Sequence, residues 1–270
     1  MARAWNPGSV VRAHIRRKVS LAVLVLDDFT GWPITAADLT VTASEVLSRP
    51  VRKGNGYFLF LDSPSPRLSV TARAWAYHPA RIEVDLSALP ALHPVVKLRL
   101  TPNRNYSIPM QTTCLEGSAP PGTQVQVFCR NDPKPLRLLY DYAVDGPEGG
   151  RLLQIYDPTG SDLEGRRFAL LHKGEERAEC FSVLDRLEEA EGGCLLAAPL
   201  KRDCKKAGAT VLPIFTASAD DSGRYFLPLR SLAVKAYDCR VLWAPPGQDW
   251  REQTLELEPG RVTRLDLTAG

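Results

Sequence analysis

The stretch GYFLFL at residues 56–61 recurs in altered form as GRYFL at residues 223–227, and each copy opens a set of three strand-like segments. The other segments are LSVTA (68–72) and VKLRL (96–100) in the first set, and LAVKA (232–236) and TRLDL (263–267) in the second. In both sets 44 residues separate the first glycine from the last leucine. This spacing indicates a duplicated β module. Repetition of a scaffold favours a structural role.

Composition predicts the same class of fold. The chain has 270 residues, more than one average domain, and its 22 prolines and 19 glycines are spread along its whole length. Such frequent turn residues are typical of an all-β protein and disfavour long helices. We therefore predict an all-β fold with two β-sandwich domains of the transthyretin or immunoglobulin type, the second carrying a small β-barrel-like insertion.

Domain boundaries follow from breaks in the apolar pattern. Residues 101–109 contain two prolines and no apolar period, which indicates an extended linker. Far more residues separate the early and late strands of the second module than a sandwich loop needs, which indicates an insertion. The predicted segments are an N-terminal arm (1–18), a β-sandwich (19–100), a linker (101–110), a second β-sandwich in two pieces (111–130 and 213–270) and an inserted small β domain (131–212).

The first module carries a recognisable order of segments. An apolar strand at 19–26 is followed by the turn DDFTG at 27–31, then by GYFLF from residue 56 and by YHPAR at 77–81. This order resembles carboxypeptidase regulatory-like domains over residues 19–100, which implies a transthyretin-like β-sandwich and no particular activity. The turn order of the insertion is similar to that of small β-barrel inserts in phage-tail and tail-like particle proteins.

One motif has a catalytic spacing. His172 and Glu175 form an H-x-x-E pair of the kind zinc carboxypeptidases use, but a catalytic zinc needs a third protein ligand and no histidine follows His172. Neither a G-x-S-x-G nucleophile turn nor a phosphate-binding G-K-[ST] loop occurs. We expect no enzymatic activity, no cofactor and no bound metal.

Charge and hydropathy limit the partners. A net charge of +3 is too small to predict nucleic-acid binding. The basic residues Arg12, Arg16, Arg17 and Lys18 are either a solvated flank or a surface that docks on an acidic partner. The first apolar run has only eight residues and no signal peptide precedes it, so neither export nor membrane insertion is expected. We predict a cytoplasmic protein, in which the six cysteines are buried free thiols.

Aromatic residues offer a second docking surface. Trp243 and Trp250 flank the sequence APPG at 244–247 and are predicted to lie in loops, where they could contact a protein partner or a sugar. The favoured hypothesis is a non-catalytic structural or interaction subunit, an adaptor or decoration protein of a contractile phage tail-like assembly that binds other protein subunits and is incorporated in a released particle. The alternative is a carbohydrate-binding accessory or adhesin-like protein.

Overall fold

The computed structural model describes residues 17–268, except for Glu45, Leu47, Ser161 and Glu176. Strands account for 47% of the chain and helix for 3%, so the protein is all-β, as predicted. The strands form several sheets, which we describe as a first unit, a barrel and a second unit. Arg12 and Arg16 of the predicted basic arm lie outside the described residues.

The first unit contains two sheets. Its strands are β1 (Val19–Asp27), β2 (Thr40–Ala43), β3 (Val51–Arg52), β4 (Tyr57–Leu61), β5 (Arg67–Arg73), β6 (Ala80–Asp85) and β7 (Val95–Leu100), with one 3-10 turn at Leu86–Ala88. One sheet has the order β3-β4-β1-β7, in which β1 and β7 run parallel, and the other has the order β2-β5-β6. Alternate residues of β4 and β5 are buried, because successive side chains of a strand point to opposite faces. The two sheets share one hydrophobic core.

The barrel begins after two strands of the second unit, β8 (Thr113–Ser118) and β9 (Gln124–Cys129). It contains β10 (Arg137–Leu138), the short helix α1 (Pro147–Gly150), β11 (Leu152–Tyr156), β12 (Arg167–His172), β13 (Glu179–Leu187), β14 (Gly193–Leu196) and β15 (Ala209–Pro213). The sheet order is β10-β11-β14-β13-β12-β15. Leu136 and Val211 exchange backbone hydrogen bonds of 3.0 and 2.9 Å, which join the two edges into a nearly closed barrel. The sequence pattern did not predict β10.

The second unit resumes with β16 (Phe215–Ser218), β17 (Arg224–Leu229), β18 (Tyr237–Ala244), β19 (Arg251–Leu257) and β20 (Val262–Arg264). Its sheets have the orders β16-β9-β18-β19 and β17-β8-β20. In the second of these, β8 is antiparallel to β17 and parallel to β20, just as β1 is antiparallel to β4 and parallel to β7. The strands β9, β18 and β19 likewise pair as β2, β5 and β6 do. The two units therefore share a strand topology, apart from β3 and β16. The exact domain boundaries stay a prediction.

One segment of the sequence repeat is not equivalent in the structure. Residues 232–236 were expected to form a strand but lie in a loop, and the strand that corresponds to β5 is β18. The Tyr237 hydroxyl accepts a hydrogen bond from the Leu232 backbone N–H at 2.9 Å and donates to the Arg230 carbonyl at 3.2 Å. These bonds hold the backbone in a closed loop, so strand pairing begins only at Tyr237.

The glycine that opens the second repeat is required by geometry. Gly223 has φ of +72°, and a Cβ added there would lie 2.8 Å from the Ala119 carbonyl oxygen. We expect Gly223→Ala to lower the free energy of unfolding by about 2–4 kcal/mol, from the positive φ and from the displaced contact between the segment after β8 and the turn before β17. Gly247→Ala is the matched control, because Gly247 also has φ of +72° but no atom within 4 Å of the added Cβ. Denaturant unfolding should show the smaller loss, about 1 kcal/mol, for the control. Equal losses would contradict a steric role for Gly223.

Candidate functional site

A single turn of the first unit contacts both other parts of the protein. The central turn, residues 27–32, follows β1 and carries the DDFTG sequence. The Arg230 side chain of the second unit donates from Nε to the Phe29 carbonyl at 3.2 Å. A Cβ added to Gly31 would lie 3.1 Å from Nη2 of Arg166, which belongs to the barrel. The three parts of the chain therefore meet at this turn.

Asp27 holds the central turn in place. Its side chain is buried, and its Oδ1 accepts the backbone N–H of Phe29 at 2.8 Å and that of Thr30 at 3.3 Å. Its Oδ2 accepts the hydroxyls of Tyr106 at 2.5 Å and Tyr77 at 3.3 Å. Burial and then the Asp27 carboxylate raise the pKa of both tyrosines, so both hydroxyls remain donors. One carboxylate thus joins three separate segments of the chain.

Two exposed tryptophans lie on the segments that Asp27 joins. Trp32 is 74% exposed, and its carbonyl accepts the Asp27 backbone N–H at 2.9 Å. Trp75 is 69% exposed. Its backbone N–H donates to the Asp38 carboxylate at 2.6 Å, and its backbone carbonyl accepts the side-chain amides of Asn103 and Asn105. We call these two side chains and their loops the aromatic surface. Its backbone is held by hydrogen bonds while its indole rings face solvent.

A charged cluster connects the first unit to the barrel. On β7, Lys97 Nζ lies 3.1 Å from Asp162 and 2.5 Å from Glu164, and Arg99 Nη2 lies 3.0 Å from Asp162. Arg99 also donates from Nε to the Glu164 carbonyl at 3.0 Å. Burial opposes ionisation of Asp162, but the Lys97 hydrogen bond and the two cations hold its pKa below the usual value. These partly buried pairs bind the first unit to the barrel loop between β11 and β12.

Next to this cluster lies a cation without a carboxylate partner. Arg166 is mostly buried, and its Nε has no hydrogen-bond acceptor among the described residues. Burial, together with repulsion from Arg230 and Arg99, lowers the pKa of Arg166 to about 10, so it remains a cation at neutral pH. Asp28 is enclosed by protein but forms no ion pair with Arg166 within 4 Å; burial raises its pKa although all three guanidinium groups oppose this. Arg166 therefore carries its charge in a poorly solvated place without a carboxylate in direct contact among the described residues.

Two cavities flank Arg166. The junction cavity, of about 300 Å³, lies between the barrel and the second unit, and its wall includes Lys134, Arg166, Arg230 and apolar side chains. A smaller cavity of about 220 Å³ is lined by Asp28, Arg99 and Arg166 on the side of the first unit. Arg166, Pro213 and Phe215 line both, so the two spaces adjoin one another. The sequence patterns assigned some of the residues that line the two cavities to turns or strands. They predicted none of them as a site residue.

The predicted docking residues do not gather at this site. Arg17 and Lys18 are exposed at the start of β1, and the Lys18 backbone N–H donates to Asp62. Trp250 lies in the loop before β19 and is 46% exposed. Trp243 is not in a loop, as was predicted, but inside β18, where it packs partly buried against the core of the second unit. Pairing with both β9 and β19 continues to that residue, which is why the loop begins later.

The other candidate residues from the sequence are His172 and the six cysteines. His172 is the last residue of β12, and within the described ranges no three His, Cys, Asp or Glu side chains are grouped to hold a metal ion. All six cysteines are free thiols. Burial raises the pKa of Cys114, Cys194 and Cys204 to about 11, which makes these thiols poor nucleophiles at neutral pH. The absence of a zinc site and of enzymatic activity stay predictions.

Comparison with protein-family models and with curated proteins finds no match for this chain. Within the described part of the chain, no helix has the length and apolar character that would be needed to cross a bilayer.

Proposed function

We propose that this protein is a non-catalytic structural or interaction subunit that docks other protein subunits through the aromatic surface. The observation that carries the proposal is the exposure of Trp32 and Trp75 on loops that are both held by Asp27. Tryptophan is enriched among the residues that dominate binding energy at protein interfaces. Loops already ordered by hydrogen bonds lose little conformational entropy when they bind, which favours docking.

The junction of the three parts supports a structural role. The ion pairs of Lys97 and Arg99, the Arg230 contact to the central turn and the apolar cluster around Phe128 and Leu212 connect the parts at separate places. A subunit that occupies a defined place in an assembly needs such a fixed arrangement. The exposed side chains of Trp32 and Trp75 supply a surface for a partner.

The more specific form of the proposal retains the resemblances found in the sequence. The first and second units are interpreted as β-sandwich domains, the first of the carboxypeptidase regulatory-like type, and the chain as an adaptor or decoration protein of a contractile phage tail-like particle. Support for this form comes from the repeated strand topology and from the barrel inserted into the second repeat. The compartment would be the cytoplasm, with later release in the particle.

The proposal is tested with a tagged full-length chain isolated from its native host. We expect the intact protein to co-purify with other subunits, and native mass spectrometry gives the stoichiometry of that complex. The double variant Trp32→Ala/Trp75→Ala should reduce co-purification at least about tenfold, because each side chain is expected to contribute about 1–2 kcal/mol or more. Its thermal midpoint should barely change, since both side chains are exposed.

Leu92→Ala is the matched control. Leu92 is 89% exposed and lies in the loop before β7, at the end of the first unit opposite the central turn. This control should retain its partners. Equal losses in both variants, or none in either, would remove the aromatic surface as the docking site.

Carbohydrate binding is the second candidate function, favoured by the same exposed indole rings with asparagine and aspartate nearby. It predicts retention of the purified chain on a polysaccharide column and loss of retention in the Trp32→Ala/Trp75→Ala or the Trp250→Ala variant. Partner capture without column retention supports the assembly proposal. Retention that depends on tryptophan, without partner capture, supports the sugar-binding alternative.

A further inference from the structure

The wall of the junction cavity combines positive charge with an apolar lining. Lys134, Arg166 and Arg230 contribute three cations, and Asp132 contributes one carboxylate. The Asp132 carboxylate accepts the Lys134 backbone N–H at 2.9 Å, which uses one of its oxygens within its own turn. The remaining wall is mainly apolar and includes Leu136, Leu163, Phe168, Phe215 and Leu232. The cavity is therefore suited to a ligand that has both an anionic and an apolar part.

Arg166 is the feature that points to a ligand. Buried charges in proteins are normally paired, because an unpaired one loses its hydration without compensation. Arg99, the neighbouring guanidinium, follows this rule through Asp162 and Glu164. Arg166 does not: its Nε is buried without an acceptor among the described residues, and Arg166 lines the junction cavity. Nη1 of Arg99, which is also unpartnered, belongs to the wall of the adjoining smaller cavity. An unsatisfied buried donor in the wall of the junction cavity points to an acceptor that is not supplied by the described protein atoms.

We propose that the junction cavity binds a small organic oxyanion, a carboxylate or a phosphate monoester on a short apolar body, with Arg166 and Arg230 contacting the anionic group. Guanidinium groups match the planar geometry of carboxylate and phosphate oxygens through paired N–H donors. The volume of about 300 Å³ is at the lower end for ligand cavities, which limits the apolar body to about one small ring or a short chain. This site is separate from the aromatic surface and does not depend on the proposed docking function.

Binding is tested with the full-length chain by calorimetry and by thermal shift. The probes are benzoate, hexanoate and phenyl phosphate as oxyanions, with benzamide as the uncharged analogue, benzylamine as the cationic one, and inorganic phosphate as an anion without an apolar body. We expect at least one organic oxyanion to bind with a Kd below about 1 mM and to raise the thermal midpoint. Benzamide, benzylamine and inorganic phosphate should bind at least about tenfold more weakly. The preferred class among the three oxyanions distinguishes carboxylate from phosphate recognition.

Variants locate the binding group. Arg166→Met should weaken oxyanion binding at least about tenfold, and Arg166→Lys should be intermediate because it retains the charge and loses the paired donors. Arg137→Gln is the control, since Arg137 is an exposed arginine of the same barrel that lies outside both cavities. Circular dichroism checks that each variant is folded. If Arg166→Met does not fold, Arg166→Lys still tests the proposal.

Three results would overturn the proposal. One is the absence of binding by every organic oxyanion up to about 10 mM. Another is equal binding of benzoate and benzamide, which would make the cavity a purely apolar one. The last is unchanged oxyanion binding in the Arg166 variants, or an equal loss in Arg137→Gln, because either would place the anion elsewhere on this basic chain.

Discussion

Asp27→Ala is expected to lower the free energy of unfolding by about 4 kcal/mol, one of the two largest effects expected for this protein. The substitution leaves two backbone N–H groups and the hydroxyls of Tyr77 and Tyr106 without their acceptor in a buried place. Each hydrogen bond to a charged group contributes about 1.5–3 kcal/mol, and part of that loss is recovered by water entering the turn. Urea unfolding of the variant, followed by circular dichroism, measures the change.

The control for Asp27 is Asp85→Ala. Asp85 also accepts a backbone N–H, that of Ser87 at 3.0 Å, and pairs with Arg67, but its side chain is 39% exposed whereas that of Asp27 is buried. Exposed ion pairs and turn contacts contribute little, so this variant should lose less than about 1 kcal/mol. A loss at Asp27 no greater than that at Asp85 would contradict the role of Asp27 in joining three segments.

The same interaction has a consequence at high pH. Burial, followed by the Asp27 charge and hydrogen bond, raises the pKa of Tyr77 and Tyr106 above the ordinary value of 10. The unfolded chain therefore releases these protons at a lower pH than the folded protein does. The two tyrosine hydroxyls therefore make their full contribution to the free energy of unfolding below pH 10. This contribution declines as the pH rises above 10. This decline should be smaller in Asp27→Ala, because its tyrosines no longer face a buried carboxylate.

Arg166→Met is expected to raise the free energy of unfolding of the ligand-free protein by about 1–3 kcal/mol. The substitution removes a mostly buried cation that has no carboxylate within ion-pair distance among the described residues and that lies near the like charges of Arg99 and Arg230. Replacement of poorly compensated buried charge by an apolar side chain of similar length is often stabilising. Thermal unfolding in a buffer free of organic anions measures the change.

Arg99→Met is the opposing control, and its effect should have the other sign. Arg99 is almost completely buried and bonded to Asp162 and to the Glu164 carbonyl, so its removal takes one of two cations from Asp162 and a donor from that carbonyl. We expect a loss of about 3 kcal/mol. Destabilisation by both variants would show that Arg166 is compensated in the folded protein and would also weaken the argument for an anion site.

A stabilising Arg166→Met that also loses oxyanion binding would identify a site maintained at the expense of stability. Functional sites commonly contain such groups, and removing them stabilises proteins while it abolishes binding. The aromatic surface does not share this property, because Trp32 and Trp75 are exposed and their removal should be nearly neutral for folding. Measurements of the free energy of unfolding therefore distinguish the junction cavity from the aromatic surface before any partner or ligand is identified.

Local sequence patterns were sufficient to predict the class of fold and most strands. The apolar run of β1 and the alternation in β4, β5 and β6 depend only on which faces of a strand are buried, and that information is contained in adjacent residues. The positive φ of Gly56 and Gly223 explains why both repeats begin with glycine. For the same reason the all-β prediction was correct.

Where the sequence interpretation failed, a side-chain hydrogen bond or a strand pairing decided the conformation. Residues 232–236 have the composition of a strand, but the Tyr237 hydroxyl holds them in a loop. Strand β10 contains only two residues and exists because it pairs with β11. Trp243 was assigned to a loop because prolines follow it, yet pairing with β9 and β19 extends to it on both sides. Short-range propensity cannot contain information of this kind.

The sequence by itself determined that this chain is all-β, that its scaffold is repeated and that the turn at residues 27–31 ends an apolar strand. Only the tertiary structure brought Arg99, Arg166 and Arg230 to that turn, from positions up to 131 residues apart. In the sequence each is one arginine among many, with no periodicity or spacing that relates it to the others. Their proximity arises because the duplicated unit and the barrel pack against the first unit, and such packing depends on surfaces assembled from distant strands. The fold could therefore be predicted from local patterns, whereas the candidate site could not.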